Sequence, residues 1–87
     1  MTSKTAQFEQ TLLKIQHIIA EVTGNDVEDL SSDSLLEDLN LYGPDLKRVV
    51  VAIGKAFGVY LYTQDIEDEC ETIHDMAMIV HEEAYLG

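Results

Sequence analysis

Tyr42-Gly43-Pro44-Asp45-Leu46-Lys47-Arg48-Val49-Val50-Val51-Ala52-Ile53-Gly54-Lys55-Ala56-Phe57-Gly58 lies at the middle of this 87-residue chain and can be read in two ways. Val49-Val50-Val51 is a β-branched run and Gly54 is a poor helix former, which together allow a strand. Against that, Leu46, Val49, Val50, Ile53 and Phe57 recur with a period near 3.6, the spacing of one helical face. Gly43-Pro44 suits a helix start, because proline at the first helical position lacks an N–H that would be unpaired anyway. Gly58 suits its end. The period outweighs the propensities, and the stretch is predicted as a helix.

Upstream, Phe8, Leu12, Ile15, Ile19 and Val22 recur at steps of four and three, a second amphipathic stripe. It predicts a first helix from Thr5 to Thr23, stopped by Gly24-Asn25. Burying five such side chains contributes on the order of 8–15 kcal/mol before chain entropy is subtracted. Between the two helices, Asn25 to Tyr42 is rich in Asp and Ser and has no helical period. Val27, Leu30, Leu35, Leu36, Leu39 and Leu41 are spaced along it as anchors, so a long loop pinned to the core is expected. Ser34 with Glu37 three residues on is a capping-box pattern and predicts a helical turn over Leu35 to Leu39.

Downstream, Val59-Tyr60-Leu61-Tyr62 reads as extended. Thr63 to Glu69 reads as a short helix held by Ile66. Thr72 with Asp75 predicts a second capping box, opening a last helix through Ile73, Met76, Ala77, Val80 and Ala84. The fold class is all-α: a four-helix bundle of three longer helices and one short one, with a long loop after the first.

Composition narrows the function. Seventeen acidic residues against five basic ones give a formal charge of −12, which is wrong for nucleic acid, where clustered Lys and Arg must neutralise phosphates. Hydrophobic residues make up 46% of the chain, too many for a disordered acidic tail. No apolar run is long enough for a membrane span, and Met1-Thr2-Ser3-Lys4 leads into no signal-peptide core. Cys70 is the only cysteine, so an internal disulfide or a cysteine zinc site is excluded and a reducing cytoplasm is the expected setting. A chain this short has little room for a deep catalytic pocket.

The order of elements, the acidity and the stretch Leu36-Glu37-Asp38-Leu39 ahead of the second helix resemble the acyl carrier proteins. Phe57, Leu61 and Thr72-Ile73 fit the same pattern, and the resemblance covers residues 6 to 84. It implies a single carrier-like domain over residues 1–87, folded as the carrier four-helix bundle. It also implies an activity that is not enzymatic: holding an acyl chain as a thioester on a 4'-phosphopantetheine arm and presenting it to lipid or polyketide synthesis enzymes. In that family the arm hangs from a serine in an Asp-Ser-Leu motif at the start of the second helix. Counting without gaps puts Gly43 at the serine, Tyr42 at the preceding Asp and Pro44 at the following Leu. Sliding by two places puts Asp45 there instead. Neither has a hydroxyl, and no serine follows Ser34 anywhere in the chain. No cofactor is therefore expected. The Gly43 form also resembles small bacterial carrier-like proteins that lack the serine. A literal Asp33-Ser34-Leu35 does occur, in the loop, and leaves one alternative: a working carrier armed at Ser34.

Charge placement departs from the family as well. Leu46 to Gln64 contains Lys47, Arg48 and Lys55 and no acid, so this segment is +3 and the remainder of the −12 chain is −15. Ordinary carriers meet basic enzyme patches through an acidic second helix; here that surface has the opposite sign. Tyr42, Gly43, Asp45, Lys47, Arg48 and Lys55 form the expected surface for a protein partner. The other reading of the cations is that they balance Asp65, Glu67, Asp68, Glu69 and Glu71 within the molecule.

Remaining constellations are weaker. Glu71-x-x-His74 is half of a carboxylate-bundle iron motif and lacks its second half. His17, His74 and His81 are expected to be structural, and no metal site is expected. The alternating acids Asp65, Glu67, Glu69 and Glu71 lack the glycine and register of a calcium loop. Cys70 is expected to be a buried thiol, Met76 and Met78 core residues, and Tyr42, Tyr60, Tyr62 and Tyr85 half-buried rim residues. An acid–base enzyme would need a deep polar pocket around Glu71 and His74. The expected protein is a monomeric interaction or regulatory module.

Overall fold

A computed structural model describes residues 4–86, and the leader reading of Met1-Thr2-Ser3 lies outside them. Four α-helices follow one another: α1 (Lys4–Thr23), α2 (Pro44–Phe57), α3 (Thr63–Glu69) and α4 (Ile73–His81). A 3₁₀ turn, Val27–Asp29, interrupts the first loop, and a π-helical turn, Glu82–Leu86, extends α4. No strand occurs among the described residues, so the helical period of the 42–58 stretch prevails over its β-branched run. α1 packs most extensively on α4 and then on α2, while α3 packs on α2.

The core is built from one stripe of each helix. Ile15 and Ile19 of α1 meet Leu46, Val49, Val50 and Ile53 of α2, Ile66 of α3, and Ile73, Met76, Ala77 and Val80 of α4. Phe8, Leu12 and Val22 are only half-buried, because the buried face of α1 is turned toward Thr11, which is 1% exposed. The Thr11 hydroxyl donates to the Gln7 carbonyl at 3.1 Å, which is why a polar side chain is tolerated there. Gly54 also finds its reason: a Cβ at this position would lie 3.0 Å from the Val59 carbonyl. The chain folds back over α2 just past Gly58, and Val59 N–H donates to the Gly54 carbonyl at 3.0 Å.

The loop before α2 is pinned, but differently from the sequence expectation. Ser34 and Glu37 form no capping box. The Ser34 hydroxyl accepts from Ser31 N–H at 3.0 Å, and the turns over 36–40 close through backbone bonds such as Leu41 N–H to the Leu36 carbonyl at 2.8 Å. Leu35 pairs across a bridge to Thr72 and turns its side chain outward. Leu36 N–H donates to Glu71, while the Ser34 and Ser32 carbonyls accept from Ile73 and His74 N–H at 3.1 and 2.9 Å. The loop thus straps the start of α4.

Candidate functional site

The start of α2 is where the family's chemistry would be, and it is built from backbone. Gly43 caps the helix with no side-chain hydrogen bond, at φ 61° and ψ −134°, a combination closed to residues with a Cβ. Nothing lies within 4 Å of a Cβ added there, so the obstacle to a side chain is the backbone itself. Pro44 follows at the first helical position, and Lys47 N–H closes the first turn on the Gly43 carbonyl at 3.1 Å. No side chain of Gly43, Pro44, Asp45 or Leu46 has a hydroxyl. This residue set does not fit a serine-linked phosphodiester.

Beside it, a cleft of about 540 Å³ opens between the loop, α2 and α3. Buried Leu36, Leu41, Leu46 and Cys70 line its apolar part, with exposed Glu37, Glu67, Glu71 and Tyr42 around them. Burial pushes the Cys70 thiol up to about 11, with Asp75 and Glu69 adding to the shift. The thiolate that nucleophilic chemistry requires is thereby suppressed.

Ser34 is placed elsewhere, in the turn that straps α4. Its hydroxyl is engaged by Ser31 N–H and lies 3.3 Å from the Ser31 hydroxyl.

Of the expected partner surface, Lys47, Arg48 and Lys55 come together on the outward face of α2, lining a shallow groove with Pro44, Val51 and Ala52. Tyr42 lies on the other side, at the cleft. Asp45 reaches Arg48 at 4.0 Å, both side chains largely exposed. Among the described residues no ion pair joins these cations to the acidic run of Asp65 to Glu71, so internal balance does not operate by contact. Lys14 of α1 adds a fourth cation at the end of α2, 4.8 Å above the Phe57 ring and bonded to the Ala56 carbonyl at 3.4 Å. The sequence reading missed Pro44, Val51 and Ala52. Their signal was present, since positions 44, 47, 48, 51, 52 and 55 are the helical complement of the buried set.

The remaining candidates separate. Glu71 lines the cleft, whereas His74 lines a groove between α1 and α4 with Phe8, Met78 and His81. His74 and His81 stack edge-on against Phe8, at 5.3 and 5.6 Å, and His81 Nδ1 lies 3.4 Å from the Thr11 hydroxyl. His17 is exposed. Among the described residues no cluster of three potential metal ligands forms. Two expectations fail on exposure. Tyr60 is 91% exposed, and Tyr42, Tyr62 and Tyr85 are also exposed, because loop and terminal positions supply no facing helix. Met76 is buried but Met78, two positions on and therefore around the helix, is not.

Two acyl carrier proteins of Streptococcus pneumoniae, one from serotype 4 and one from strain R6, are each 31% identical to this chain over 71 residues. The matched region covers 82% of this chain and 92% of either relative. The chain belongs to the acyl carrier protein family. No family model matches it. This acyl carrier protein family member has the four-helix bundle expected of the resemblance, and among the described residues no helix is long and apolar enough to cross a membrane.

Proposed function

We propose that this chain is a carrier-fold interaction module, not an enzyme, that has given up the prosthetic arm and acts by docking a protein partner. The observation that carries this reading is the start of α2. A phosphodiester to phosphopantetheine needs an alcohol oxygen, and the residues from Gly43 to Leu46 supply none. The glycine-only backbone at Gly43 supports the same reading, since a serine at this position has to reshape the helix start before it can present a hydroxyl. Tyr42, Gly43, Asp45, Lys47 and Arg48 are exposed at that start and Lys55 in the last turn of the helix. The docking surface runs along the outward face of α2 through Lys47, Arg48 and Lys55, with Tyr42 around the helix at the cleft. The module is a single domain over residues 1–87, working as a monomer in the cytoplasm and regulating or scaffolding enzymes of fatty acid or polyketide synthesis.

Co-expression with a broad-specificity phosphopantetheinyl transferase, followed by intact-mass measurement, tests the loss of the arm. The expected mass is that of the bare chain. An arm-sized adduct that disappears in Ser34→Ala overturns the proposal in favour of a carrier armed in the loop.

A further inference from the structure

The outward stripe of α2 has a pattern as well as a charge. Lys47 and Lys55 are separated by about 12 Å along the helix axis, and Val51, 46% exposed, stands midway between them. Pro44 and Ala52 complete an apolar floor in a shallow groove of about 520 Å³. Arg48 shares its charge with Asp45 at 4.0 Å, a contact between exposed groups that contributes little. Lys47 and Lys55 have no carboxylate within 4.0 Å among the described residues. Two unneutralised ammonium groups therefore flank an exposed apolar side chain on a molecule whose other segments total −15.

We infer that this stripe docks an acidic amphipathic helix of another protein. An apolar side chain of that helix seats on Val51 and Ala52, and carboxylates about two turns apart meet Lys47 and Lys55. This inference rests on the reading of the chain as an interaction module and names its partner's chemistry. The complementarity is local, which favours a protein segment over an extended polyanion: a duplex or an anionic bilayer would also bring its charge against the surrounding acids. A second copy of this chain offers a poor match. Its acidic helix α3 spans seven residues, about 10 Å, and the apolar Ile66 of that helix is buried in its own core.

The test is an amide chemical-shift titration of the isotope-labelled full chain with a synthetic helical peptide. The peptide has two glutamates at the spacing of Lys47 and Lys55 and a leucine midway. Shifts confined to residues 44–55, weakening with added salt, are expected. The same peptide with lysines for glutamates should leave α2 unmoved. The double variant Lys47→Glu/Lys55→Glu, and separately Val51→Glu, should bind about tenfold or more weakly; all three positions are exposed, and unchanged shifts in α1 and α4 will confirm that the fold persists. Unmoved α2 amides with the acidic peptide, or equal shifts with its lysine version, overturn the inference. So do shifts produced only by phosphatidylglycerol vesicles or duplex DNA, or concentration-dependent α2 shifts without peptide. Arm loading is read by mass, so failure of that reading and failure of this one are seen in different experiments.

Discussion

The two helices that open toward this molecule's loops, α2 and α4, begin in opposite ways. At α4 each of the first four N–H groups is satisfied: Ile73 and His74 by the Ser34 and Ser32 carbonyls, Met76 by the Thr72 carbonyl, and Asp75 by the Thr72 hydroxyl at 3.1 Å. The Asp75 carboxylate returns the bond, accepting from Thr72 and Glu71 N–H at 3.2 and 3.0 Å. At α2 there is no side-chain cap; Gly43 and Pro44 shape the start through backbone alone, and the buried Leu46 holds it from inside. One start is built from hydroxyl and carboxylate, the other from conformation and packing. The second offers no side-chain hydroxyl from Gly43 to Leu46.

If packing holds the start of α2, Leu46→Ala should have the largest effect. Leu46 is 1% exposed, and the loss should be about 2–5 kcal/mol in a denaturant melt; a value near zero would mean that the start is held some other way. Gly43→Ser should come next, destabilising by about 1–3 kcal/mol. Gly43→Ala should cost the same within a few tenths, about the precision of such comparisons, since no neighbour meets the added Cβ. A neutral serine would show that the glycine conformation is dispensable and would erase the contrast between the two starts.

Thr72→Ala should cost about 1 kcal/mol by removing the α4 cap, and combining it with Asp75→Ala should cost less than the sum, because both act in one box. The smallest effect is on pH. The hydrogen bond from Glu71 N–H, joined by weaker ones from Thr72, holds the Asp75 carboxyl below its usual value against the opposing effect of burial. Its stabilisation is therefore complete above the ordinary aspartate range and fades as pH falls through that range to the lower folded value. Asp75→Asn should flatten the acid limb of a stability–pH profile, and an unchanged limb would contradict this role of the carboxylate.

How far the sequence could be read follows the same division. Thr63–Glu69 and Pro44–Phe57 were legible with their bounds because punctuation and period are local signals, and Thr72–Asp75 was legible because a capping box closes within three residues. Ser34 with Glu37 carried the same local signal and misled. The Ser34 carbonyl and hydroxyl are taken by Ile73 and Ser31, and nothing within three residues announces a partner from α4. Burial of Thr11 and outward placement of Leu35 likewise depend on which helix lies opposite. At the candidate site, the missing hydroxyl and the three cations of α2 could be read directly. The apolar floor at Pro44, Val51 and Ala52 was legible only indirectly, as the positions that the helical period leaves opposite the buried face.

The most direct measurement is the intact mass of the chain purified from its own cells. The unmodified polypeptide is expected; a population of molecules bearing phosphopantetheine would contradict the loss of the arm.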